Sequence, residues 1–348
     1  MENQPNKWKK GCMIAAAVLG LIIFLTVALF PPYQTIATSG QFNVGTIRNN
    51  YTDESQFDEF ATGHEKRQVS VSFWFPEDED GVSTYPLIVF SHGGLGLETS
   101  NESLFLELAS HGFVVASIGH TYHAFWTKGE DGRTTYVNME YFRDLQQEDA
   151  QNDKEQSYRF YQSWMATRTA DINFVIDKIL TNAANDAGGV YALINPAKIG
   201  LMGHSLGGSA VLAVPRQRND IAVVIALESP FLYDIVGVKN NEFEFLDEIY
   251  PVPVLNIYSD SSWDHLSEWP QYARNFALLS EDSHIVHNLY LSGAGHFSLT
   301  DLALTSPILV GLLEGEWPNL DGRQYLQKVN QPCLEFFNRY LKDFEDAF

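Results

Sequence analysis

The sequence predicts an α/β fold, in which a mostly parallel central sheet carries helices on both faces. Short, continuous apolar runs recur along the chain, and such runs are typical of strands that are buried on both faces. Stretches with apolar residues at helical spacing lie between these runs, and strands that alternate with helices form parallel sheets. The chain shows no internal repeat and no sign of a second domain, so residues 68–348 are expected to form one domain.

The apolar pattern places the individual strands and helices of this domain. Apolar and polar residues alternate over 69–75, which predicts its first strand, and residues 31–67 are expected to form a linker and irregular strands. Thr99 and Glu102 have the spacing of a capping box for a helix that ends at Ser110. Further strands are expected at 87–90, 113–118, 199–202, 221–227, 252–258 and 289–291, and further helices at 161–179, 209–214 and from Pro332 onward.

Residues 119–156 interrupt the alternation of strands and helices and are interpreted as an insert. The segment has no clean period but holds several aromatic side chains among many charged ones. Because pockets are lined mainly by apolar and aromatic groups, the insert is expected to shape a substrate pocket, with Phe125 and Trp126 as its candidate residues. The alternative is that these rings only pack the insert onto the sheet.

The N-terminal segment predicts a membrane anchor. Residues 11–30 form an uncharged apolar run that is long enough to cross a bilayer. Lys7, Lys9 and Lys10 precede the run, which predicts that residues 1–10 are cytoplasmic and that the domain lies outside. The run is longer than the apolar core of a usual signal peptide, and no clean small-residue cleavage motif follows it. We therefore expect an uncleaved transmembrane helix; the alternative is a cleaved signal peptide and a secreted protein.

Composition excludes several classes of partner and cofactor. The 348 residues include 44 Asp and Glu but only 22 Lys and Arg, a formal charge of −22 that argues against nucleic acid and against an anionic membrane as partner of the domain surface. Cys12 and Cys333 are the only cysteines, and Cys12 lies in the apolar run, so no disulfide framework and no Cys-based metal site is expected. No cofactor is implied by any motif.

Residues 203–207, Gly-His-Ser-Leu-Gly, carry the chemistry that the sequence indicates most clearly. The segment follows the buried strand at 199–202 and precedes a helix, which is the strand–turn–helix setting of a G-x-S-x-G nucleophile. Glycines on either side of Ser205 let strand and helix approach without a Cβ clash. The next backbone N–H, that of Leu206, lies at a helix N-terminus, where negative charge is stabilised. Ser205 is the predicted nucleophile and Leu206 a predicted oxyanion donor.

A serine nucleophile needs a base, and the base needs an acid to orient it. His296 is the best candidate base because it follows the last strand in a Gly-rich loop and comes after Ser205 in the chain. Glu228 ends the strand after the nucleophile's helix, and Asp260 ends the next strand. Either carboxylate could reach Nδ1 of His296, so the acid stays open between the two.

A second oxyanion donor is predicted in the loop after the strand at 87–90. His92-Gly-Gly brings a backbone N–H without a bulky side chain to the carboxyl end of the sheet, and Gly94 is the candidate donor. His92, in the same loop, is a candidate residue of the substrate pocket. The alternative is a plain glycine-rich turn between a strand and a helix.

Three stretches together resemble the plasma-type (isoform II) platelet-activating factor acetylhydrolases. They are residues 86–96, Pro-Leu-Ile-Val-Phe-Ser-His-Gly-Gly-Leu-Gly, residues 108–116, Leu-Ala-Ser-His-Gly-Phe-Val-Val-Ala, and residues 203–208. The resemblance implies an α/β-hydrolase fold, calcium-independent chemistry and oxyanion donors at Gly94 and Leu206. The family's acid maps onto Glu228, where the family has Asp. Dienelactone hydrolases and bacterial polyesterases are more distant relatives.

The residues and the resemblance together predict a membrane-anchored serine esterase with its catalytic domain outside the cytoplasm. Its expected substrates are short or oxidised acyl esters of phospholipids, or similar small esters. An amidase or peptidase on the same fold needs the same triad, so it remains an alternative. A non-catalytic binding member of the fold is a further alternative, which the complete set of triad residues disfavours.

Overall fold

In a computed structural model, the chain is described for residues 7–58, 60, 63, 65–77, 83–185, 188–280, 284–315 and 321–342, with side chains from residue 12 onward. The strands of these residues are β1 Val44–Phe57, β2 Lys66–Pro76, β3 Tyr85–Ser91, β4 Val114–Gly119, β5 Trp126–Lys128, β6 Thr134–Tyr136, β7 Ile194–His204, β8 Val223–Leu227, β9 Ile235–Lys239, β10 Glu242–Phe245, β11 Val254–Tyr258 and β12 Val286–Tyr290. The helices are α1 Lys7–Leu29, α2 Glu102–Ser110, α3 Met139–Gln147, α4 Lys154–Ala184, α5 Leu206–Ala213, α6 Asp260–Trp263, α7 Ala273–Leu278, α8 Leu302–Thr305, α9 Pro307–Glu314 and α10 Gly322–Leu341.

The described part of the chain forms one mixed sheet of eight strands, in the order β1-β2-β4-β3-β7-β8-β11-β12. The pairs β1–β2 and β2–β4 are antiparallel, and the pairs from β4 to β12 are parallel. Because parallel neighbours must be joined by crossovers, helices separate most of these strands along the chain, while β9 and β10 lie between β8 and β11. This confirms the predicted mostly parallel sheet with helices on both faces.

Alternation along β3 shows how the sheet builds a core on each face. Leu87 and Val89 pack with the helices α4 and α5 on one face, while Ile88 and Phe90 pack with α2 and α10 on the other. Successive side chains of a strand point to opposite faces, so a central strand that is covered twice must be apolar throughout. All seven residues of β3 are buried, as the continuous apolar run predicted.

The carboxyl ends of five parallel strands meet at one edge of the sheet. Five segments follow these strands and lie at this edge: the loop after β3, the turn after β7, Glu228 after β8, the start of α6 after β11, and the loop that leads from β12 to His296. Ligand and catalytic groups gather at this edge in open α/β sheets. The predicted site residues therefore converge from five separate stretches of the chain.

Several local boundaries differ from the sequence expectations. The α2 capping box does not form: the Glu102 carboxylate accepts from Trp74 Nε1 (3.2 Å), and the helix is capped from outside by Asp301, whose Oδ2 accepts from Ser103 N (2.7 Å). Helix α10 begins ten residues before Pro332, because the carboxylate of Asp321 accepts from Arg323 N (2.9 Å) and a continuous apolar face is buried from Tyr325 to Leu341. Proline thus lies inside the helix rather than at its start.

Three further segments are more regular than the sequence predicted. Residues 31–67 include β1, a 14-residue strand that pairs with β2 over most of its length. The insert 119–156 contains the β5–β6 hairpin and helix α3, and a second hairpin, β9–β10, follows β8. Short hairpins and helices of this kind have little period of their own, and contacts with the domain decide their conformation.

Helix α1 is the one helix of the described residues that is long and apolar enough to cross a membrane. Cys12–Leu29 has a mean hydropathy of 2.8 and none of it is buried. Length and composition alone support this interpretation, which a signal sequence would also satisfy.

The segment after α1 packs along the domain. The carbonyl of Gln34 accepts from Arg323 Nη2 (2.9 Å), and Ser39 N donates to Glu107 Oε2 (2.9 Å). Ile36 is buried between these two points. The segment expected to be a linker is therefore held by the domain at several positions.

Candidate active site

Ser205 occupies the turn between β7 and α5. Its φ of 54° lies in the left-handed region, which a serine adopts only under strain. A Cβ on Gly203 would lie 2.5 Å from the Gly207 carbonyl carbon, and a Cβ on Gly207 would lie 2.1 Å from the Ser91 carbonyl oxygen. Only glycine therefore lets β7, α5 and the end of β3 approach this closely. The turn leaves Ser205 partly exposed, as attack on a substrate requires.

His296 lies beside this turn and is hydrogen-bonded to Glu228. The distance between His296 Nδ1 and Glu228 Oε2 is 3.1 Å, and the ring centroid of His296 is 4.5 Å from that of His204, the residue before Ser205. A carboxylate can only accept, so Nδ1 carries the hydrogen and Nε2 keeps a lone pair for a proton. The described residues contain no hydrogen bond from Ser205 Oγ to His296 Nε2, a contact that is often long without substrate.

Glu228 is held in one orientation by buried donors. It is 1% exposed, and its oxygens accept from Ser259 Oγ (2.7 and 2.6 Å) and from Ser259 N (3.3 Å). Burial alone would raise the pKa of this carboxyl, but the hydrogen bond and charge of His296, together with hydrogen bonds from Ser259 and Ser262, hold the pKa of Glu228 below its ordinary value. Glu228 is therefore an ionised acceptor at neutral pH.

Asp260, the other candidate acid, has different partners. Its Oδ1 accepts from Tyr290 Oη (2.6 Å) and its Oδ2 accepts from Gly293 N (2.9 Å). Among the described hydrogen bonds, those of His296 Nδ1 include Glu228 and not Asp260. The structure thus brings Glu228 to His296 and uses Asp260 to brace the loop that carries His296.

His204 is adjacent to Ser205 in the chain and supports His296 rather than Ser205. Its Nε2 donates to the His296 carbonyl (3.1 Å), because a carbonyl can only accept. Burial, and after it the neighbouring His296, lower the pKa of His204 to about 3. The ring is therefore neutral and acts as a fixed donor. The sequence offered no signal for this contact, which joins two loops that are 92 residues apart.

The backbone N–H groups of the two predicted oxyanion donors have no acceptor in the described part of the chain. They belong to Leu206, the first residue of α5, and to Gly94, in the loop after β3. The first N–H groups of a helix have no intrahelical partner. Gly93 lies next to the turn, since a Cβ on it would be 3.3 Å from Ser205 Cβ. Neither predicted oxyanion donor therefore has a competing acceptor among the described residues, and their role stays a prediction.

The insert contacts the Gly94 loop through Leu145 and Tyr141, and also through the backbone of Phe125, one of the two predicted residues. An added Cβ on Gly94 would meet the methyl groups of Leu145 at 3.5 Å and the hydroxyl of Tyr141 at 3.6 Å. Phe125 is exposed, its N–H donates to the Gly96 carbonyl (3.2 Å), and Trp126 begins the β5–β6 hairpin. The insert thus lies over the loop, and the contribution of its two predicted rings to a pocket stays a prediction.

His92 is the site residue whose predicted place needs correction. It is fully buried, and its Nδ1 is 2.7 Å from the Gly93 carbonyl. A side chain without exposed surface cannot line an open pocket, so His92 belongs to the support beneath the loop.

A second Ser–His–Asp arrangement lies buried beneath this loop. Ser91 Oγ is 2.8 Å from His120 Nε2, and His120 Nδ1 is 2.8 Å from Asp171 Oδ2. Ser91 is fully buried, so no substrate can reach its hydroxyl. Arg67 also binds Asp171, with Nε to Oδ1 at 2.9 Å and Nη2 to Oδ2 at 2.7 Å, and burial lowers the pKa of His120 to about 4. These residues form a structural network.

No metal site is formed by the described residues: none of their His, Cys, Asp and Glu side chains group in threes as metal ligands.

Comparisons with known proteins agree with the resemblance seen in the sequence. The family model of platelet-activating factor acetylhydrolase, isoform II, matches residues 79–347. Platelet-activating factor acetylhydrolases of Cavia porcellus and Bos taurus are 21% and 24% identical over 74% and 75% of this chain. The chain spans only 58% and 59% of the length of these two relatives.

Two other similarities concern esterases. "Cutinase est1" of Thermobifida alba is 28% identical over 45% of this chain and 38% of its own length. The solved structure of a ferulic acid esterase from Streptomyces cinnamoneus matches with a TM-score of 0.63, covering 90% of this chain and 96% of that chain at 19% identity. At this identity the match shows a shared fold, the α/β-hydrolase fold, and the family model confirms the resemblance: the chain belongs to the isoform II family of platelet-activating factor acetylhydrolases.

Proposed function

We propose that this protein is a serine ester hydrolase that acts on short or oxidised acyl esters of phospholipids, or on similar small esters. The observation that carries the proposal is the strained, partly exposed Ser205 beside the Glu228–His296 pair. Membership of the acetylhydrolase family and the similarity to a cutinase support the reaction class.

In this proposal Ser205 is the nucleophile and His296 the base. Ser205 Oγ bonds to the ester carbonyl carbon while its proton moves to His296 Nε2, and the carbonyl oxygen becomes an oxyanion that accepts from the Gly94 and Leu206 N–H groups. Glu228, held by Ser259, stabilises the imidazolium that forms. When the carbonyl re-forms, the bond to the alcohol breaks and Nε2 returns its proton to the leaving oxygen. Water repeats the sequence and releases the acid.

The test is an ester panel of increasing acyl length, measured with wild type and Ser205→Ala. Loss of Ser205 should lower the rate by about 10⁴-fold or more, as in other triads. A fluorophosphonate should label wild type stoichiometrically and leave the variant unlabelled. Labelling of the variant would contradict the assignment of Ser205. Inertness of wild type would favour a non-catalytic binding protein, and cleavage of amides in place of esters would favour an amidase.

We also propose that α1 anchors the enzyme in a membrane with the catalytic domain outside. Its apolar side chains are exposed, and the hydroxyl of Ser306, just before α9, donates to the Leu29 carbonyl at its end. Full-length protein should sediment with membranes, whereas a protein starting at Gln34 should be soluble and active. Recovery of native protein that begins after residue 30 would instead show a cleaved signal peptide.

A further inference from the structure

Arg168, on α4, is a buried cation without a carboxylate partner. It is 0% exposed, and the described residues form no ion pair with it. By contrast, the buried Arg67 and the partly buried Arg216 each bind carboxylates. A guanidinium stays charged, and burying a charge is unfavourable unless its surroundings compensate. The charge of Arg168 must therefore be compensated by its contacts inside the domain.

The guanidinium of Arg168 binds the backbone of the loop after β3. Nη1 donates to the His92 carbonyl (2.5 Å), and Nη2 donates to the Gly93 carbonyl (3.2 Å) and to Tyr141 Oη (3.3 Å). Two successive carbonyls of the loop are therefore held by one rigid, planar group.

His92 supplies a second donor to the same Gly93 carbonyl. Its Nε2 accepts from His120 N (3.3 Å), so the hydrogen of the neutral ring is on Nδ1, which donates to the Gly93 carbonyl at 2.7 Å. Burial, followed by the charge of Arg168, holds the pKa of His92 well below its ordinary value, so the ring stays neutral. The Gly93 carbonyl is thus fixed by two buried side-chain donors, in addition to the backbone N–H of Gly96 (3.1 Å).

Fixing the Gly93 carbonyl fixes the Gly94 N–H, because both belong to one planar peptide unit. The described peptide bonds are all trans, and in a trans unit the C=O and N–H point in opposite directions. Neither Gly93 nor Gly94 has a side chain that could hold the loop, so its orientation depends on contacts to the carbonyls. The Gly94 N–H, which has no acceptor among the described residues, is left facing away from Arg168.

We propose that Arg168 and His92 are positioning residues that hold the Gly94 N–H as an oxyanion donor. The inference rests on the proposed esterase function. Donors on the Gly93 oxygen also polarise the peptide unit and make its N–H a stronger donor, since linked hydrogen bonds reinforce one another. The benefit appears only when the substrate oxygen becomes negative, so it should raise kcat and leave KM nearly unchanged.

The first test replaces Arg168 in the full chain, with esters and a trifluoromethyl ketone of matching acyl length as probes. The ketone carbon bonds to Ser205 Oγ and its oxygen becomes an oxyanion, so its affinity reports the same donors. Arg168→Met should lower kcat by about 10²-fold, change KM less than about threefold and weaken the ketone in parallel, because losing one oxyanion donor costs about 10²- to 10³-fold. Arg168→Lys keeps the charge and at least one donor, so its kcat and its affinity for the ketone should lie between those of wild type and Arg168→Met.

Arg216→Met is the matched control. The side chain of Arg216 is 7% exposed and binds Asp234 (2.6 Å) rather than the loop, so its loss should lower stability without lowering kcat. A kcat of Arg168→Met within threefold of wild type, a loss confined to KM, or an unchanged ketone affinity would each overturn the proposal.

A second pair of variants keeps the test decisive if Arg168→Met does not fold. His92→Asn can place an amide NH₂ where Nδ1 donates to Gly93, whereas His92→Leu cannot. The Asn variant should retain kcat and ketone affinity well above those of the Leu variant, and equal values would contradict positioning. If wild type is active and kcat is unchanged in all these variants, only this inference is rejected. A wild type that neither reacts with a fluorophosphonate nor cleaves any ester rejects the proposed function and, with it, this inference.

Discussion

Replacing Glu228 by Gln should disable the base without disturbing its surroundings. In wild type, Oε1 accepts from Ser259 N (3.3 Å) and Oε2 accepts from His296 Nδ1 (3.1 Å). A glutamine must place its NH₂ at one of these two positions. The backbone N–H of Ser259 cannot turn away, so an NH₂ facing it would set donor against donor. The favoured orientation therefore points the NH₂ at His296.

The consequence for His296 is a change of tautomer. Nδ1 must now accept, so the hydrogen moves to Nε2, which can no longer take the proton of Ser205. In a serine protease triad the equivalent change lowers kcat by about 10⁴-fold. We expect a loss of about 10³- to 10⁴-fold here, equal to about 4–5.5 kcal/mol of transition-state stabilisation, with KM little changed.

The assay is steady-state hydrolysis of a short-chain ester, with Asp260→Asn as the matched control. Asp260 accepts from Tyr290 and Gly293, and an asparagine oxygen can keep one of these bonds, so we expect less than about a tenfold loss. If Asp260→Asn loses most of its kcat while Glu228→Gln keeps nearly all of it, the reasoning is refuted and the acid is Asp260, which follows the later strand.

Two further predictions concern stability and specificity. Burial raises the pKa of Asp301 to about 7 against 3.8 for a free carboxyl, so the folded state binds this proton more tightly than the unfolded chain does, and stability falls as pH rises from about 4 to 7. Asp301→Asn removes this effect. Between pH 5 and pH 8, the free energy of unfolding of the variant, measured by chemical unfolding, should therefore rise by about 2–3 kcal/mol relative to that of wild type. A constant difference between the two proteins would contradict the raised pKa. Phe125→Ala with Trp126→Ala should alter the acyl-length preference more than the melting temperature; an unaltered preference with a lowered melting temperature would show that these rings only pack the insert.

The sequence was sufficient to place those site residues whose position depends on residues close to them in the chain. A buried strand, a Gly-x-Ser-x-Gly turn and a helix follow within 20 residues, so Ser205 and the N–H of Leu206 could be placed without knowledge of any other segment. His296 could be placed as well, because the carboxyl end of the last strand must lie at the same edge as the nucleophile. The acid stayed open because the choice depends on the backbone of Glu228, whose φ is 50°, and on the hydroxyl of Ser259.

Arg168 was missed although the chain carries a signal for it. It lies four residues after Trp164 and four before Ile172, both buried, so it falls on the apolar face of α4. A charged residue at such a position must find polar partners inside the protein. Its partners are backbone carbonyls 75 and 76 residues away, which no periodicity reveals.

The buried network of Ser91, His120 and Asp171 bears on how active sites are recognised from coordinates. Its two hydrogen bonds are 2.8 Å long, whereas Ser205 Oγ has no hydrogen bond to His296 Nε2 among the described residues, so a search by interatomic distance alone would select the buried network. What distinguishes Ser205 is access to solvent and a carboxylate without a competing guanidinium. Templates for hydrolytic sites therefore need two further search criteria, the accessibility of the hydroxyl and the other charged partners of the acid.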